Sequence, residues 1–255
     1  ADVAGSLPQA LAGAGHEVTV VLPLYQGIGP VWREQMTFLK WFNIPLSWRQ
    51  AYCGVFQLER DGVTYWFVDN EYYFKREQIY GHYDDCERFA FFSRAVLALA
   101  EHLDYAPDIL HCNDWQTALV PVYLLEEKYR VPQLANAKTV FTIHNIEYQG
   151  RYSAQVLEDV IGLSRDYFNE GMLAYYDDVN LMKGAILSST FVTTVSPTYA
   201  QELRTPFYGR GLDGVVNQQQ EKIEGILNGI DVNDYDPSKD PQIYANYDPY
   251  HLGGK

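Results

Sequence analysis

Three polar residues that could bind a ligand or move a proton each follow a short apolar run of the sequence. Asp114, His144 and Asn228 stand at the ends of these runs, each of which has the length of a single β-strand. A carboxylate accepts hydrogen bonds, an imidazole exchanges protons near neutral pH, and an amide both donates and accepts. Each residue also has a plainer interpretation: a helix cap for Asp114, a satisfied buried ring for His144 and a turn for Asn228.

Their shared position in the expected fold favours a functional interpretation. In an open parallel sheet, ligands bind beyond the carboxyl ends of the strands. If the runs are parallel strands, Asp114, His144 and Asn228 converge on one edge of one sheet, which indicates a binding or catalytic site. Ser196 follows a fourth run, but no GxSxG elbow surrounds it, so we interpret it as a helix cap and not as a nucleophile.

The spacing of these residues does not match the sequence motifs of metal-binding or phosphate-binding sites. A metallohydrolase would also place His, Asp and Asn at strand ends, yet neither H-E-x-x-H nor H-x-x-E-H occurs. His111 and Cys112 are adjacent, so on a strand they point to opposite faces. The sequence also lacks a Walker phosphate loop. We therefore predict neither a metal site nor a cofactor.

The elements that must position these residues begin with half of a βαβ unit. The apolar positions of segment 2–13 fall on one helical face, a glycine-rich turn follows, and run 18–23 is typical of a buried parallel strand. The first strand of a doubly wound sheet lies in the middle of that sheet. Because this sequence opens on the helix, we expect that its first strand and the loop after it are missing.

Strand and helix signals then alternate along the chain. We predict a hairpin over 52–68 with an Asp-Gly turn, an amphipathic helix over 84–102 and a last strand over 223–227. Three strand–helix pairs lie between them, at 108–129, 138–188 and 191–203, and in the second pair we predict helices over 177–188. This alternation predicts an α/β fold with a Rossmann-like, doubly wound parallel sheet.

The end of the sequence differs in composition from the rest. A chain of 255 residues is long enough to bury a large core within a single domain. After residue 231 the sequence turns polar and rich in tyrosine. We predict one domain over 1–235 and a linker over 236–255 that leads toward a domain absent from this sequence.

Composition argues against several classes of protein. A formal net charge of −14 opposes binding to the phosphates of nucleic acids. No apolar run approaches the ~20 residues that span a bilayer, so we expect no membrane association. Three widely spaced cysteines indicate buried, reduced thiols. With a start that lacks a signal peptide, these features predict a cytoplasmic protein, or a stromal one if the source is a plant plastid.

The sequence contains the segments ADVAGSLP at 1–8 with GHEV at 15–18, DILHCNDWQ at 108–116, FTIHNIEYQG at 141–150, TVSPTYA at 194–200, GRGLDG at 209–214 and GILNGID at 225–231. They resemble motifs of the glycogen and starch synthases of the ADP-glucose type, glycosyltransferase family 5. They follow the family's order, nearly without gaps, as far as about residue 240. Together they are highly specific for that family.

The resemblance implies the amino-terminal, acceptor-side half of a GT-B glycosyltransferase, which has two Rossmann-like domains with the active site between them. The family transfers glucose from ADP-glucose to the non-reducing end of an α-1,4-glucan, retains the anomeric configuration and needs no metal. The other domain of such enzymes holds the nucleotide. The linker at 236–255 would thus lead to an absent nucleotide-binding domain, and we expect the isolated chain to be inactive.

Matching positions imply roles for eight residues. The carbonyl dipole of His144 would stabilise an oxocarbenium-like transition state, and Asp114 would bind sugar hydroxyls, so both are candidate catalytic residues. Residues implied to bind the donor glucose are Asp2, Asn145 and Asn228. Residues implied to bind the acceptor are Gln116, Tyr148 and Gln149. Gln116 stands where the family often has histidine, so this chain has no imidazole at that position.

Two other functions fit the same sequence. A non-catalytic α-glucan-binding module would use the aromatic residues that make up 15% of the chain, but it would not require the strand-end Asp, His and Asn. A related GT-B transferase using UDP-glucose would differ mainly in the absent domain. The sequence therefore leaves the choice of donor open.

Overall fold

The computed structural model describes residues 2–232 and 235–255. The α-helices are α1 (Asp2–Gly13), α2 (Pro30–Arg33), α3 (Glu71–Phe74), α4 (Asp85–His102), α5 (Leu119–Glu127), α6 (Asp166–Asn169), α7 (Leu181–Ser188), α8 (Pro197–Glu202), α9 (Pro206–Gly209) and α10 (Asp213–Gln218). Short 3-10 or π-helical turns lie at Trp115–Thr117, Pro132–Leu134, Leu157–Ile161, Gln220–Lys222 and Leu252–Gly254. The strands are β1 (Thr19–Pro23), β2 (Thr37–Leu46), β3 (Arg49–Arg60), β4 (Val63–Asp69), β5 (Ile109–Asn113), β6 (Lys138–Ile143), β7 (Arg151–Ser153), β8 (Ala174–Tyr175), β9 (Asp178–Asn180), β10 (Phe191–Thr194) and β11 (Ile223–Gly225).

The strands within these ranges form two four-stranded sheets and one small three-stranded sheet. The first has the order β1-β4-β3-β2, in which β1 and β4 are parallel and the other neighbours antiparallel. The second has the order β11-β10-β6-β5, and all its neighbours are parallel. The third joins β7, β9 and β8. The prediction of an α/β fold with a Rossmann-like parallel sheet is confirmed.

Local sequence accounts for the elements that frame the parallel sheet. In the hairpin of β3 and β4, Asp61 and Gly62 have φ values of 53° and 76°, and a type I′ turn requires positive φ at both positions. Helix α4 buries Phe89 and Phe92 against the core, and its acidic first turn complements the helix dipole. Helix α8 starts at the predicted cap, where the Ser196 hydroxyl accepts from the Tyr199 backbone N–H at 2.9 Å.

The parallel sheet brings four strand ends to one edge. Asn113 of β5 lies beside Thr142 of β6, and Thr194 of β10 lies beside both Ile143 of β6 and Gly225 of β11. Because the strands are parallel, the loops that follow them emerge at the same edge. Neighbouring strands are about 4.8 Å apart, so the loops after β5 and β6 are direct neighbours.

Two elements differ from the sequence-based prediction. The segment 177–188, predicted to be helical, begins as β9 because its first residues pair with β7 and β8. Asn180 then caps α7 by accepting a hydrogen bond from the backbone N–H of Lys183 at 2.9 Å. Strand β11 ends at Gly225, two residues before the predicted end at residue 227. Its partner β10 ends at Thr194, where the chain turns into α8.

The missing first strand, and the boundary between a domain at 1–235 and a linker at 236–255, stay predictions. Among the described residues, strands β1 and β5 are edge strands of separate sheets. The described residues from 235 onward form turns held by local hydrogen bonds, such as those from Asn246 Nδ2 to the carbonyl oxygens of Pro237 and Asp240.

Cys53, Cys86 and Cys112 are buried and unpaired, as the sequence predicted. Burial raises the pKa of each thiol to about 12, so all three stay protonated at neutral pH. Over the part of the chain that the structure describes, no helix is long and apolar enough to cross a membrane.

Candidate functional site

Asp114 joins the first two strand-end loops. It follows β5, and its Oδ1 accepts hydrogen bonds from the backbone N–H groups of His144 at 2.8 Å and Asn145 at 3.4 Å, just beyond β6. Its own backbone N–H donates to the carbonyl oxygen of Thr142 at 3.0 Å. Its side chain makes no capping hydrogen bond to the helical turn that follows, so the interpretation of Asp114 as a helix cap is wrong.

The backbone of Asp114 is strained. Its φ is 56° and its ψ is −178°, a region that is essentially restricted to glycine. Such a conformation costs roughly 1–3 kcal/mol and persists only where the surrounding contacts fix it. Here the hydrogen bonds to Thr142 and His144 fix it. Because strain of this kind clusters at functional sites, it favours a functional role for Asp114 over a purely structural one.

The ring of His144 is held by its neighbour on β5. Its Nε2 lies 2.9 Å from Oδ1 of Asn113. Because an amide oxygen only accepts, Nε2 is the donor in this contact. No hydrogen bond among the described residues occupies the carbonyl oxygen of His144. The residue therefore presents an oriented imidazole together with a carbonyl dipole.

A second imidazole, to which the sequence gave no role, lies on the same sheet. Nε2 of His111 lies 2.7 Å from the hydroxyl of Thr142, which lies 2.6 Å from the hydroxyl of Thr193, so a row of hydrogen bonds crosses β5, β6 and β10. Partial desolvation lowers the pKa of His111, although its side chain is exposed at the sheet, and the nearby His144 ring lowers it further. Threonines at matching positions of neighbouring strands were the sequence signal for this row.

Asn145, Tyr148 and Asn228 are exposed at the same edge, as binding residues must be. Oδ1 of Asn145 accepts from the backbone N–H of Glu147 at 2.9 Å, which forms a turn, and Tyr148 is 57% exposed. Asn228 follows β11, which lies two strands from β6 in the sheet. No hydrogen bond among the described residues joins Asn228 to His144 or Asn145, so the strand order alone brings it to this edge.

Gln149 is buried and makes its hydrogen bonds within the protein. Its Nε2 donates to the carbonyl oxygens of Ile146 and Arg210, both at 3.1 Å, and its Oε1 accepts from Asn180 Nδ2 at 2.6 Å. These contacts tie the loop after β6 to the start of α7 and to the turn at Arg210, where φ is 50°. The predicted contact of Gln149 with an acceptor stays a prediction, and in this structure its side chain holds the loop.

The last two predicted site residues are Gln116 and Asp2. Gln116 is half-buried in the turn Trp115–Thr117, directly after Asp114, whereas the Trp115 ring is buried. Asp2 is the first residue of α1, and its side chain lies outside the described part of the structure. The predicted roles of both residues stay predictions.

An open cavity lies against segment 147–151, beside the loop of His144. Its volume is about 480 Å³. The residues that line it are Glu147, Gln149, Arg151, Pro206, Phe207, Arg210 and Gly211. Glu147 and Arg210 form an ion pair of 2.7 Å at its wall. Within the described ranges, no group of three or more His, Cys, Asp or Glu residues is arranged to hold a metal ion.

Gly150 lies at the end of the loop after β6, and replacing it with alanine tests how tightly the chain is packed at this position. Its φ is 65°, and a Cβ at this position would lie 2.9 Å from Cε3 of Trp115 and 3.2 Å from Cβ of Leu181. We expect Gly150→Ala to lower the free energy of unfolding by roughly 2–3 kcal/mol, because backbone strain and overpacking act together. Urea denaturation followed by circular dichroism measures this change.

Gly171 provides the matched control for this prediction. Its φ is 86°, but a Cβ there would meet no atom within 4 Å. Gly171→Ala therefore carries the backbone strain alone, and we expect a loss of about 1 kcal/mol. Equal losses in the two variants would show that the contact with Trp115 does not constrain Gly150.

Comparisons with known proteins agree with this architecture. A profile of the starch synthase catalytic domain matches residues 1–218. The chain is 49% identical over 255 residues to a glycogen synthase of Lactobacillus acidophilus, covering 100% of this chain and 53% of that protein. It is 48% identical over 248 residues to a glycogen synthase of Geobacillus stearothermophilus, covering 97% of this chain and 51% of that protein.

A solved structure shows the same fold. The catalytic domain of starch synthase IV from Arabidopsis thaliana, bound to ADP and acarbose, superposes with a TM-score of 0.89 at 36% identity. The match covers 99% of this chain and 52% of that chain. The chain likewise spans about half the length of the curated relatives described above. By the profile match, the fold and the identity to its relatives, the chain belongs to the family of starch synthase catalytic domains.

Proposed function

We propose that the protein transfers glucose from ADP-glucose to the non-reducing end of an α-1,4-glucan with retention of the anomeric configuration, and that this chain supplies the acceptor side of the active site. The observation that carries the proposal is the strained Asp114, whose carboxylate holds the backbone of His144 at the carboxyl edge of the parallel sheet. The glycogen synthases among its relatives, and the starch synthase solved with ADP and acarbose, support the same assignment.

His144 acts through its main-chain carbonyl and its ring. Positive charge develops at the anomeric centre as the bond to the donor breaks. A carbonyl dipole fixed toward that charge stabilises the transition state, because it needs no reorganisation during the reaction. Asp114 fixes the N–H of the same residue and Asn113 fixes its ring, so two neighbours hold His144 in place.

The remaining residues bind the two sugars. Asn145, Asn228 and Asp2 hydrogen-bond the donor glucose, and amide groups suit this task because each offers both a donor and an acceptor. The exposed ring of Tyr148 packs against the acceptor, and Gln116 binds its hydroxyls. Gln149 supports the site from within, because its internal hydrogen bonds position the loop that carries His144 and Asn145.

A module that only binds α-glucan is the competing function. Binding alone does not require a strained Asp114 or an imidazole with one orientation. These two features therefore favour a catalytic role over simple glucan binding.

The test is glucosyl transfer by a protein that joins this chain to its nucleotide-binding domain. We expect labelled glucose from ADP-glucose to enter glycogen, and the isolated chain to transfer none. Retention on glycogen with no transfer from any sugar nucleotide would instead establish a binding module. Transfer from UDP-glucose alone would contradict the assigned donor.

A further inference from the structure

A row of hydrogen bonds on the parallel sheet has no part in the reaction proposed above. Nε2 of His111 on β5 lies 2.7 Å from the hydroxyl of Thr142 on β6, and this hydroxyl lies 2.6 Å from that of Thr193 on β10. His111 is exposed, whereas Thr142 and Thr193 are 8% and 7% exposed. The row therefore runs from an accessible imidazole into the interior and crosses three strands.

The imidazole can hold this row in either direction. The Thr142 hydroxyl has one hydrogen and two neighbours, so it donates to one of them and accepts from the other. If Nε2 of His111 carries a hydrogen, Thr142 accepts from the ring and donates to Thr193. If Nε2 carries none, Thr142 donates to the ring and accepts from Thr193. A side chain at residue 111 that can neither donate nor accept leaves the Thr142 hydroxyl with one partner.

The row meets the candidate active site at Thr142. The carbonyl oxygen of this residue accepts the backbone N–H of Asp114 at 3.0 Å, and His144 follows it by two residues. The same Asp114 accepts the backbone N–H of His144 at 2.8 Å. Because the strained backbone of Asp114 persists only while such contacts fix it, a shift of Thr142 displaces both site residues.

The end of β6 is held from both sides by side chains. Toward β10, the Thr194 hydroxyl donates to the carbonyl oxygen of Ile143 at 2.8 Å. Toward β5, Asn113 contacts the ring of His144 beyond the strand, and His111 contacts a residue within the strand. Among the β5 side chains that the structure describes, His111 is therefore the one that supports the end of β6 itself.

Packing alone does not require a histidine at residue 111. The residue beside it on β6 is Val140, and its neighbours along β5, Leu110 and Cys112, point to the opposite face of the sheet. An apolar side chain of similar size would cover Val140 equally well. The imidazole adds the hydrogen bond to Thr142, which an apolar residue cannot make.

We propose that His111 is a positioning residue for the active site, which holds Thr142 through the hydrogen-bond row and thereby fixes Asp114 and the backbone of His144. The inference rests on the proposed function for the reaction that His111 serves, whereas the positioning itself can be measured without that reaction. His111 needs no contact with either sugar. Its loss misplaces groups that act in the transition state, so it lowers kcat more than it changes KM.

His111→Leu and His111→Gln separate the hydrogen bond from the packing. In the glucosyltransferase that contains this chain, we expect leucine to lower kcat about tenfold, while the KM values for ADP-glucose and glycogen change less than about twofold. The amide of glutamine both donates and accepts, so it serves either direction of the row and should restore kcat to within about threefold of wild type. The control is His16→Leu, the same substitution at an exposed residue before β1, which should keep the wild-type kcat.

A double-mutant cycle tests whether His111 acts through Thr142. Thr142→Val removes the hydroxyl and keeps the shape of the side chain, and we expect it alone to lower kcat about tenfold. If the two residues act as one unit, His111→Leu combined with Thr142→Val also loses about tenfold. Independent contributions would multiply to about a hundredfold and would contradict an action through Thr142.

Hydrogen–deuterium exchange measures the positioning without reference to activity. In the intact enzyme, we expect the amides of segment 142–146 to exchange about tenfold faster in His111→Leu than in the wild type, and at the wild-type rate in His111→Gln. These amides include the His144 N–H that donates to Asp114. Mass spectrometry of the peptides from this segment gives the rates. Should His111→Leu fail to fold, Thr142→Val takes its place, since it breaks the same row.

The outcomes distinguish this inference from the proposed function. If the enzyme transfers glucose and the leucine and glutamine variants have the same kcat, the hydrogen bond has no positioning role and the function stands. If the enzyme transfers glucose from no sugar nucleotide, the proposed function fails and the exchange rates decide the positioning. Faster exchange with leucine and recovery with glutamine would then support the role of His111, and equal rates in the three proteins would overturn it.

Discussion

Replacing Asp114 with alanine is expected to lower kcat for glucosyl transfer at least ~10²-fold. The alanine removes the carboxylate that accepts the His144 backbone N–H at 2.8 Å, and with it the contact that holds the strained backbone of residue 114. The carbonyl of His144 then loses its fixed direction, and a sugar hydroxyl loses a charged acceptor. Initial rates at saturating ADP-glucose and glycogen measure the effect.

Two controls separate the causes of this loss. Asp114→Asn keeps an oxygen for the His144 N–H and removes only the charge, so we expect a smaller loss, of about tenfold. Asp104 also has a positive φ, of 52°, but its loop lies before β5, at the amino end of that strand. Asp104→Ala should therefore keep the full kcat. Wild-type turnover in Asp114→Ala would refute the role assigned to this carboxylate.

His144→Ala is expected to lower kcat to a similar extent, at least ~10²-fold. The variant keeps the main-chain carbonyl but loses the ring, so it removes both the contact of the imidazole with the sugar and the hydrogen bond to Asn113. Measuring kcat and the KM for ADP-glucose under the same conditions separates lost transition-state stabilisation from lost ground-state binding.

Asn113→Ala is the partner variant for this prediction. It removes the group that orients the imidazole and leaves the ring in place. We expect a loss of about tenfold, because the ring can still reach the sugar but is no longer held in one orientation. If His144→Ala turned over like the wild type, the ring would have no catalytic part, and the role assignment would fail.

The convergence of Asp114 and His144 could be predicted from the sequence. Both follow apolar runs, and parallel strands bring their carboxyl ends to the same edge, which the strand register confirms. The helix over 84–102 and the hairpin about Asp61 could be predicted for similar reasons, since each depends on a local pattern. Patterns within a few residues therefore specified most of the elements that position the site.

The parts that the sequence could not predict depend on contacts between distant segments. Gln149 makes its buried hydrogen bonds with Asn180 and Arg210, which lie 31 and 61 residues away in the chain and meet it only after folding. The hydrogen bond from the backbone N–H of His144 to the Asp114 carboxylate likewise depends on the register of β5 and β6. The ion pair of Arg49 with Glu87 also has no signal in either local segment.

The most direct test of the central claim is a crystal structure of the intact glucosyltransferase with ADP and acarbose. We expect a saccharide ring whose hydroxyl lies within about 3.2 Å of the Asp114 carboxylate and whose face meets His144. A saccharide bound in the cleft with both Asp114 and His144 turned away from it, and engaged only with protein atoms, would contradict the account.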